Sequence, residues 1–223
     1  MHTLLWDPSL PSFTTFRKRP HLYPGGGTFA LTMRLAGSLT RPTIRKIQAL
    51  QRKFGNEIPP AVYWQASAEE REGFRLYASG QTTRRQLNGP FHLHHNEAIR
   101  EIVARAIMHR DGREWEVLAY SLMPNHVHLV VRHLSRDYHM GRILRRFKSY
   151  TATMANRVLE TQGAQFWEHE GYDTIIKSTA DLRCHCRYTL LNPVWATLVK
   201  HWSAWPGNFC NDDAIRRLIA TGA

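Results

Sequence analysis

The chain is poor in cysteine, in acidic residues and in long apolar runs. Three cysteines, Cys184, Cys186 and Cys210, stand among 223 residues. They are too few, and odd in number, for a disulfide framework, and they predict a reducing compartment. Cys184-His185-Cys186 has the look of a metal motif, but no second ligand pair at zinc spacing follows it. The thiols therefore read as ordinary buried or half-buried side chains. No apolar stretch approaches the length of a membrane span and the N-terminus lacks signal-peptide architecture. The expectation is a cytoplasmic protein with no membrane partner. Asp and Glu total 18 against 30 Lys and Arg, a formal net charge of +12. That deficit of acid points to a polyanionic partner, because Lys and Arg contacts to phosphate release counterions and arginine forks grip phosphate oxygens. The charge is dispersed through foldable sequence and not gathered in a tail.

What is present suits a globular domain: 43% of residues are apolar and seven are tryptophan, enough for a real core at this length. Residues 1–27 are rich in proline, glycine and aromatics, and read as an extended basic arm (Arg17, Lys18, Arg19, His21) ending in a flexible Gly25-Gly26-Gly27 joint. A strand follows over 28–36, with Phe29, Leu31, Met33 and Leu35 on one face and Thr28, Thr32 and Arg34 on the other, exposed one. Residues 40–90 carry two helical patterns, about 42–54 and 66–79, and read as an insertion. His92, His94 and His95 read as a surface loop. Asn96 is the expected cap of a helix with Ile99, Ile102, Val103, Ala106 and Ile107 on one stripe. Trp115 to Leu122 and His126 to Val131 then form a hairpin. A helix over 140–160 is expected to bury Ile143, Phe147, Tyr150, Met154 and Val158. A strand at 172–176 and a helix from Thr179 complete the order strand, helix, strand, strand, helix, strand. That order predicts an α+β fold: a ferredoxin-like split βαβ core with an antiparallel sheet, a helical insertion and a C-terminal helix. The main domain is placed at 28–210, with a tail over 211–223.

Met123-Pro-Asn-His126-Val-His128-Leu-Val-Val131 is the most informative stretch. Side chains at i and i+2 of a strand leave the same face, so His126 and His128 point together with Val130, and Val127, Leu129 and Val131 face the core. Two imidazoles side by side form most of a divalent-metal site. On the last helix Leu182, Cys186 and Leu190 make the buried stripe, and Asp181, His185, Tyr188 and Asn192 share another face. An amide oxygen of Asn192 would complete the metal site, and the phenol of Tyr188 would sit within reach of a phosphate that the metal polarises. The plainer reading makes Tyr188 and Asn192 surface residues near a helix end at Pro193. Tyr150, with Arg146 and Lys148 beside it, is the competing nucleophile.

The ordered series Met-Pro-Asn-His-Val-His-Leu-Val-Val at 123–131, Phe166-Trp167-Glu168, and Tyr188-Thr-Leu-Leu-Asn192-Pro193-Val194 resembles the REP-associated tyrosine transposases of the single-tyrosine HUH superfamily. The strand at 28–36 and Phe147-Lys148-Ser149-Tyr150-Thr151-Ala152 are similar as well, so the resemblance covers roughly residues 20–206. It implies that His126 and His128 bind Mg or Mn with Asn192 as third ligand. It also implies that Tyr188 attacks DNA to form a 5′-phosphotyrosine, with no nucleotide cofactor. The implied partner is single-stranded DNA near imperfect hairpins, and the protein would be nucleoid-associated when bound. Arg17, Lys18, Arg19, Arg34, Arg142, Arg145, Arg146 and Lys148 are the candidate phosphate contacts. A non-catalytic hairpin-binding protein and a replication initiator or relaxase of the same superfamily remain open, as do monomer and homodimer.

Overall fold

The computed structural model describes residues 9–16, 20–38, 92–169 and 171–215. Arg17, Lys18 and Arg19, the inserted region from 40 to 90, and residues 216–223 of the expected tail lie outside the described residues. Among those described, the strands are β1 (Phe13–Phe16), β2 (Pro20–Tyr23), β3 (Thr28–Arg34), β4 (Trp115–Met123), β5 (His126–His133), β6 (Tyr172–Ile176) and β7 (Asn208–Cys210). The helices are α1 (Glu97–Met108), α2 (Met140–Val158) and α3 (Thr179–Trp195), with a helical turn at His92–His95 where a loop was expected. No described helix is long and apolar enough to cross a membrane.

β1 and β2 form a separate hairpin, and the main sheet has the order β6-β3-β5-β4-β7 with antiparallel neighbours throughout. Without β7, this is the ferredoxin-like order expected from the chain: β3 and β4 flank β5, and β6 closes beside β3. The β4–β5 hairpin pairs Met123 with His126, so Pro124-Asn125 is a two-residue turn. A register shift between Val117 and Ala119 turns Leu118 and Ala119 away from the side that Trp115 and Val117 occupy.

The sheet is covered on both faces. On one, Phe29, Leu31 and Met33 of β3 and Val127, Leu129 and Val131 of β5 pack under α1 (Ile99, Val103, Ile107) and α2 (Ile143, Phe147, Ala155). The Asn96 side chain caps α1 by accepting from the Ile99 amide at 3.2 Å. On the other face, Leu118, Ala119, Val130 and Ile176 pack under Leu182, Cys186 and Leu190 of α3. α3 begins at Ser178, whose hydroxyl accepts from the Asp181 amide at 3.1 Å.

Three expectations are corrected. The seam of α2 turns after Phe147 onto Thr151 and Ala155, leaving Tyr150 51% exposed and Val158 exposed as well. Thr151 can line the core because its hydroxyl donates to the Phe147 carbonyl at 2.9 Å and accepts from the Trp167 indole at 2.8 Å, so no polar atom is stranded. The described part of the N-terminal segment is a packed hairpin and not an extended arm. Tyr23 meets Phe29 edge-on at 5.7 Å, Phe13 stacks on His139 at 5.1 Å, and His21 pairs with Asp173 of β6. Its glycines are fitted closely: a Cβ on Gly27 would lie 2.9 Å from the Pro24 carbonyl oxygen. Arg34, finally, lies under cover on the α3 side and not on an exposed face, with 7% of its surface accessible.

Phe147 is fully buried between Trp115 and Trp167, with ring centroids at 6.0 and 6.3 Å. Phe147→Ala is expected to cost about 3–5 kcal/mol, read as a lower midpoint in urea unfolding with an unchanged slope.

Candidate active site

The site grows from the pairing of β3 with β5. Thr32 stands opposite His128 and Arg34 opposite His126. With the alternation of side chains, all four lie on the α3 face of the sheet. Both imidazoles are buried. Their Nε2 atoms face each other at 3.0 Å, with ring centroids 4.7 Å apart and planes nearly perpendicular.

Each ring is held from behind. Nδ1 of His126 lies 2.7 Å from the side-chain oxygen of Asn125, which is an acceptor only, so Nδ1 carries the proton and Nε2 presents a lone pair. Nδ1 of His128 lies 3.0 Å from the Thr32 hydroxyl, which can donate or accept. Without an ion, Thr32 donates to Nδ1, and Nε2–H of His128 donates to His126. With Thr32 accepting instead, both Nε2 lone pairs face the same point. Two nitrogens 3.0 Å apart are also spaced as adjacent ligands of an octahedral ion at about 2.1 Å. Such backing of ligating imidazoles by hydroxyl and carbonyl oxygens fixes their tautomer.

α3 supplies the facing wall. The ring of Tyr188 meets His128 edge-on at 5.4 Å and leans on Trp195 at 5.3 Å. One turn further, Asn192 is buried, and its Nδ2 has no hydrogen-bond partner among the described residues. Turning that carboxamide over would put its oxygen where the unsatisfied nitrogen stands, so the side chain suits a cation as third ligand. His185, one turn before Tyr188, is buried too. No group of three or more His, Cys, Asp or Glu that could hold a metal ion occurs among the described residues.

Burial lowers the pKa of His126 well below its ordinary value, with the charges of His128 and Arg34 adding to the effect. His128 falls to about 3, again through burial and then through Arg34 and His185. His185 falls to about 4 by burial, partly opposed by Asp181. All three imidazoles are therefore neutral at pH 7, the form that ligates metals.

The remaining candidates are scattered. Tyr150 sits on α2, across the sheet from the imidazole pair. Arg142 and Arg146 lie over the Tyr138 ring at 4.4 and 4.8 Å, and Arg146 pairs with Glu114 at 2.6 Å. Arg145 is exposed on the same helix, and Lys148 donates to the Glu168 carbonyl at 2.9 Å. The structure thus brings together His126, His128, Tyr188 and Arg34 and separates them from the cations of α2. Thr32 and Asn125 were passed over as site residues in the sequence. Their signal is positional: Asn125 precedes the first histidine, and Thr32 faces the second only once the strand register is known.

Residues 82–188 match the profile of the family described as "Transposase IS200 like", a span that holds both histidines and ends on Tyr188. A REP-associated tyrosine transposase of Escherichia coli (strain K12) is 30% identical over 106 residues. Over these stretches the chain is similar to transposases. That alignment takes in 48% of this chain and 61% of the Escherichia coli protein, less than two thirds of the relative's length. A solved structure, described as a REP-associated tyrosine transposase bound to a REP hairpin, overlays with a TM-score of 0.48 at 19% identity. It covers 92% of this chain and 88% of that one.

The neutral imidazoles set a pH dependence. A histidine whose folded pKa is depressed binds its proton more readily when unfolded, so stability falls as pH drops below 6.5 and continues to fall toward the folded value. Each such group contributes a loss approaching 1.4 kcal/mol per pH unit. His185→Gln is expected to flatten the stability profile between pH 6 and 4.5 by about one proton, measured by urea titration at each pH.

Proposed function

We propose that the protein is a metal-dependent single-stranded DNA transesterase of transposase type, acting beside hairpins through a 5′-phosphotyrosine. The observation that carries this reading is the contact of the Tyr188 ring with His128, the imidazole whose Nε2 faces that of His126. A hydroxyl nucleophile beside two cation-ready nitrogens is the constellation that phosphoryl transfer asks for, and the profile match over 82–188 supports it from sequence.

His126, His128 and Asn192 would hold Mg or Mn, and the ion would supply Lewis-acid polarisation of the phosphate. The protein's part is positioning. The edge contact to His128 and the tilted contact to Trp195 fix the plane of the Tyr188 ring and with it the line of approach to phosphorus. As the Tyr188 Oη–P bond forms, the P–O3′ bond breaks. The phenolic proton is released to solvent, and the departing O3′ takes up a proton to become a 3′-hydroxyl. The phosphotyrosine conserves the energy of the broken diester, so attack by another 3′-hydroxyl rejoins the strand without a nucleotide cofactor.

The partner in this reading is hairpin-bearing single-stranded DNA met in the cytoplasm, where the net charge of +12 favours association. The exposed guanidinium groups of Arg142, Arg145 and Arg146 suit contacts to its backbone away from the scissile bond.

A labelled single strand carrying a hairpin is expected to yield a covalent protein–DNA adduct with Mg or Mn and none with EDTA. Tyr188→Phe should abolish the adduct and Tyr150→Phe should keep it; the reverse pattern, or an adduct in Tyr188→Phe, overturns the assignment. Thr32→Val, which removes the backing of His128, is expected to weaken Mn binding by about 10–100-fold in calorimetric titration.

A further inference from the structure

Arg34 is the one buried Lys or Arg among the described residues. The other described arginines in ion pairs, Arg100, Arg105, Arg110, Arg132 and Arg146, each reach a glutamate. Arg34 has only 7% of its surface accessible, yet no carboxylate lies within ion-pair distance among the described residues. Its Nε is buried with no hydrogen-bond partner among them. A buried charge left in this state is costly, and an anion bound beside it would relieve that cost.

Its orientation is also set. The guanidinium lies over the Tyr172 ring, 5.4 Å from the centroid. Stacking occupies the face of the group and not the donors along its edge, of which Nε has no hydrogen-bond partner among the described residues. Its backbone pairs with His126, its side chain shares the sheet face of the imidazole pair, and its charge is felt by both rings.

We propose that Arg34 is a catalytic contact to the scissile phosphate: its edge N–H groups hold a non-bridging oxygen of the diester that Tyr188 attacks. This rests on the transesterase reading above, and it assigns Arg34 to the reacting phosphorus where general backbone affinity would be the simpler role. As Tyr188 Oη bonds to phosphorus and O3′ departs, negative charge accumulates on the non-bridging oxygens. A fixed, permanently charged fork in a water-poor site stabilises that charge more than it stabilises the ground-state diester. A phosphoryl oxygen held by more than one N–H group would further steady the phosphorus before the phenol.

The test compares wild type, Arg34→Met and Arg34→Lys on a hairpin-bearing single strand whose scissile linkage is either a phosphodiester or a methylphosphonate, in which a neutral methyl replaces one non-bridging oxygen. Arg34→Met keeps the length of the stem. With the diester its single-turnover rate at saturating DNA is expected to fall about 100-fold or more, while the hairpin dissociation constant stays within about 3-fold of wild type. On the methylphosphonate, the wild type and Arg34→Met should cleave at similar rates, because the charge that Arg34 answers is gone. Arg34→Lys, a point charge without the fork, should recover part of the diester rate, and it gives the same two-substrate comparison if the methionine variant does not fold. The thermal midpoint of Arg34→Met should match or exceed that of wild type.

A wild-type diester rate in Arg34→Met, an equal defect on both linkages, or a loss confined to hairpin affinity would each overturn the proposal. Failure of the underlying reading shows separately, as the absence of any adduct from wild type or its persistence in Tyr188→Phe.

Discussion

The candidate site depends on one antiparallel pairing, that of β3 with β5. Thr32 backs His128 and Arg34 stands by His126 only because these residues are opposite one another. A slip of one residue would send every side chain of a strand to the other face. Such a slip is opposed by the hydrophobic face of the same two strands. Phe29, Leu31 and Met33 with Val127, Leu129 and Val131 fill the larger core, and burying them demands the register that sets the polar set on the far side. The apolar half of the alternation thus positions the chemical half. The two-residue turn at Pro124-Asn125 adds a second restraint, since it fixes β5 against β4 immediately before the first histidine.

The two layers covering the sheet are unequal, and the inequality suits a site. Under α1 and α2 the packing is almost wholly apolar, with Trp115, Phe147 and Trp167 at its centre. Under α3 the apolar contribution from the helix is Leu182, Cys186 and Leu190. Elsewhere on α3, Tyr188 meets His128 and His185 lies near it, and Asn192 is buried one turn further on. Three neutral imidazoles, one guanidinium and one half-satisfied carboxamide are costly to bury. The larger core on the opposite face offsets that cost, so a polar layer persists in a domain of ordinary size.

Much of this was legible in the chain. The alternation around His126 and His128 gave their common face, Asn96 announced its helix, and the succession of elements implied the ferredoxin-like order seen in the sheet. What escaped was whatever depends on a third dimension that one segment does not carry. The polar side of β3 looked solvent-facing because alternation tells which residues share a face and not whether a helix covers it. Tyr150 fitted a 3.6-residue seam, but the core at that level is filled by Thr151, a residue that enters only because Trp167 and the Phe147 carbonyl satisfy its hydroxyl. Residues 1–27 looked extended because proline and glycine suggest loops, whereas Tyr23 packs on the distant His139 and Gly27 is fixed by its own turn.

The cations divide along the same line as the layers, and the division has a physical meaning. Arg142, Arg145 and Arg146 are exposed on α2, where salt at physiological strength screens charges beyond about 8 Å. They suit weak, numerous and adjustable contacts to a nucleic-acid backbone. Arg34 lies within the low-dielectric layer beneath α3, where screening is slight and a single charge acts strongly on its neighbours. Its effect on both imidazoles favours their neutral, ligating form. The positive charge that would answer a phosphate thus helps to keep the neighbouring nitrogens unprotonated, and a bound phosphate would offset its repulsion of a cation. One buried arginine ties the two halves of the site together, and the net charge of the chain alone would not distinguish it from the others.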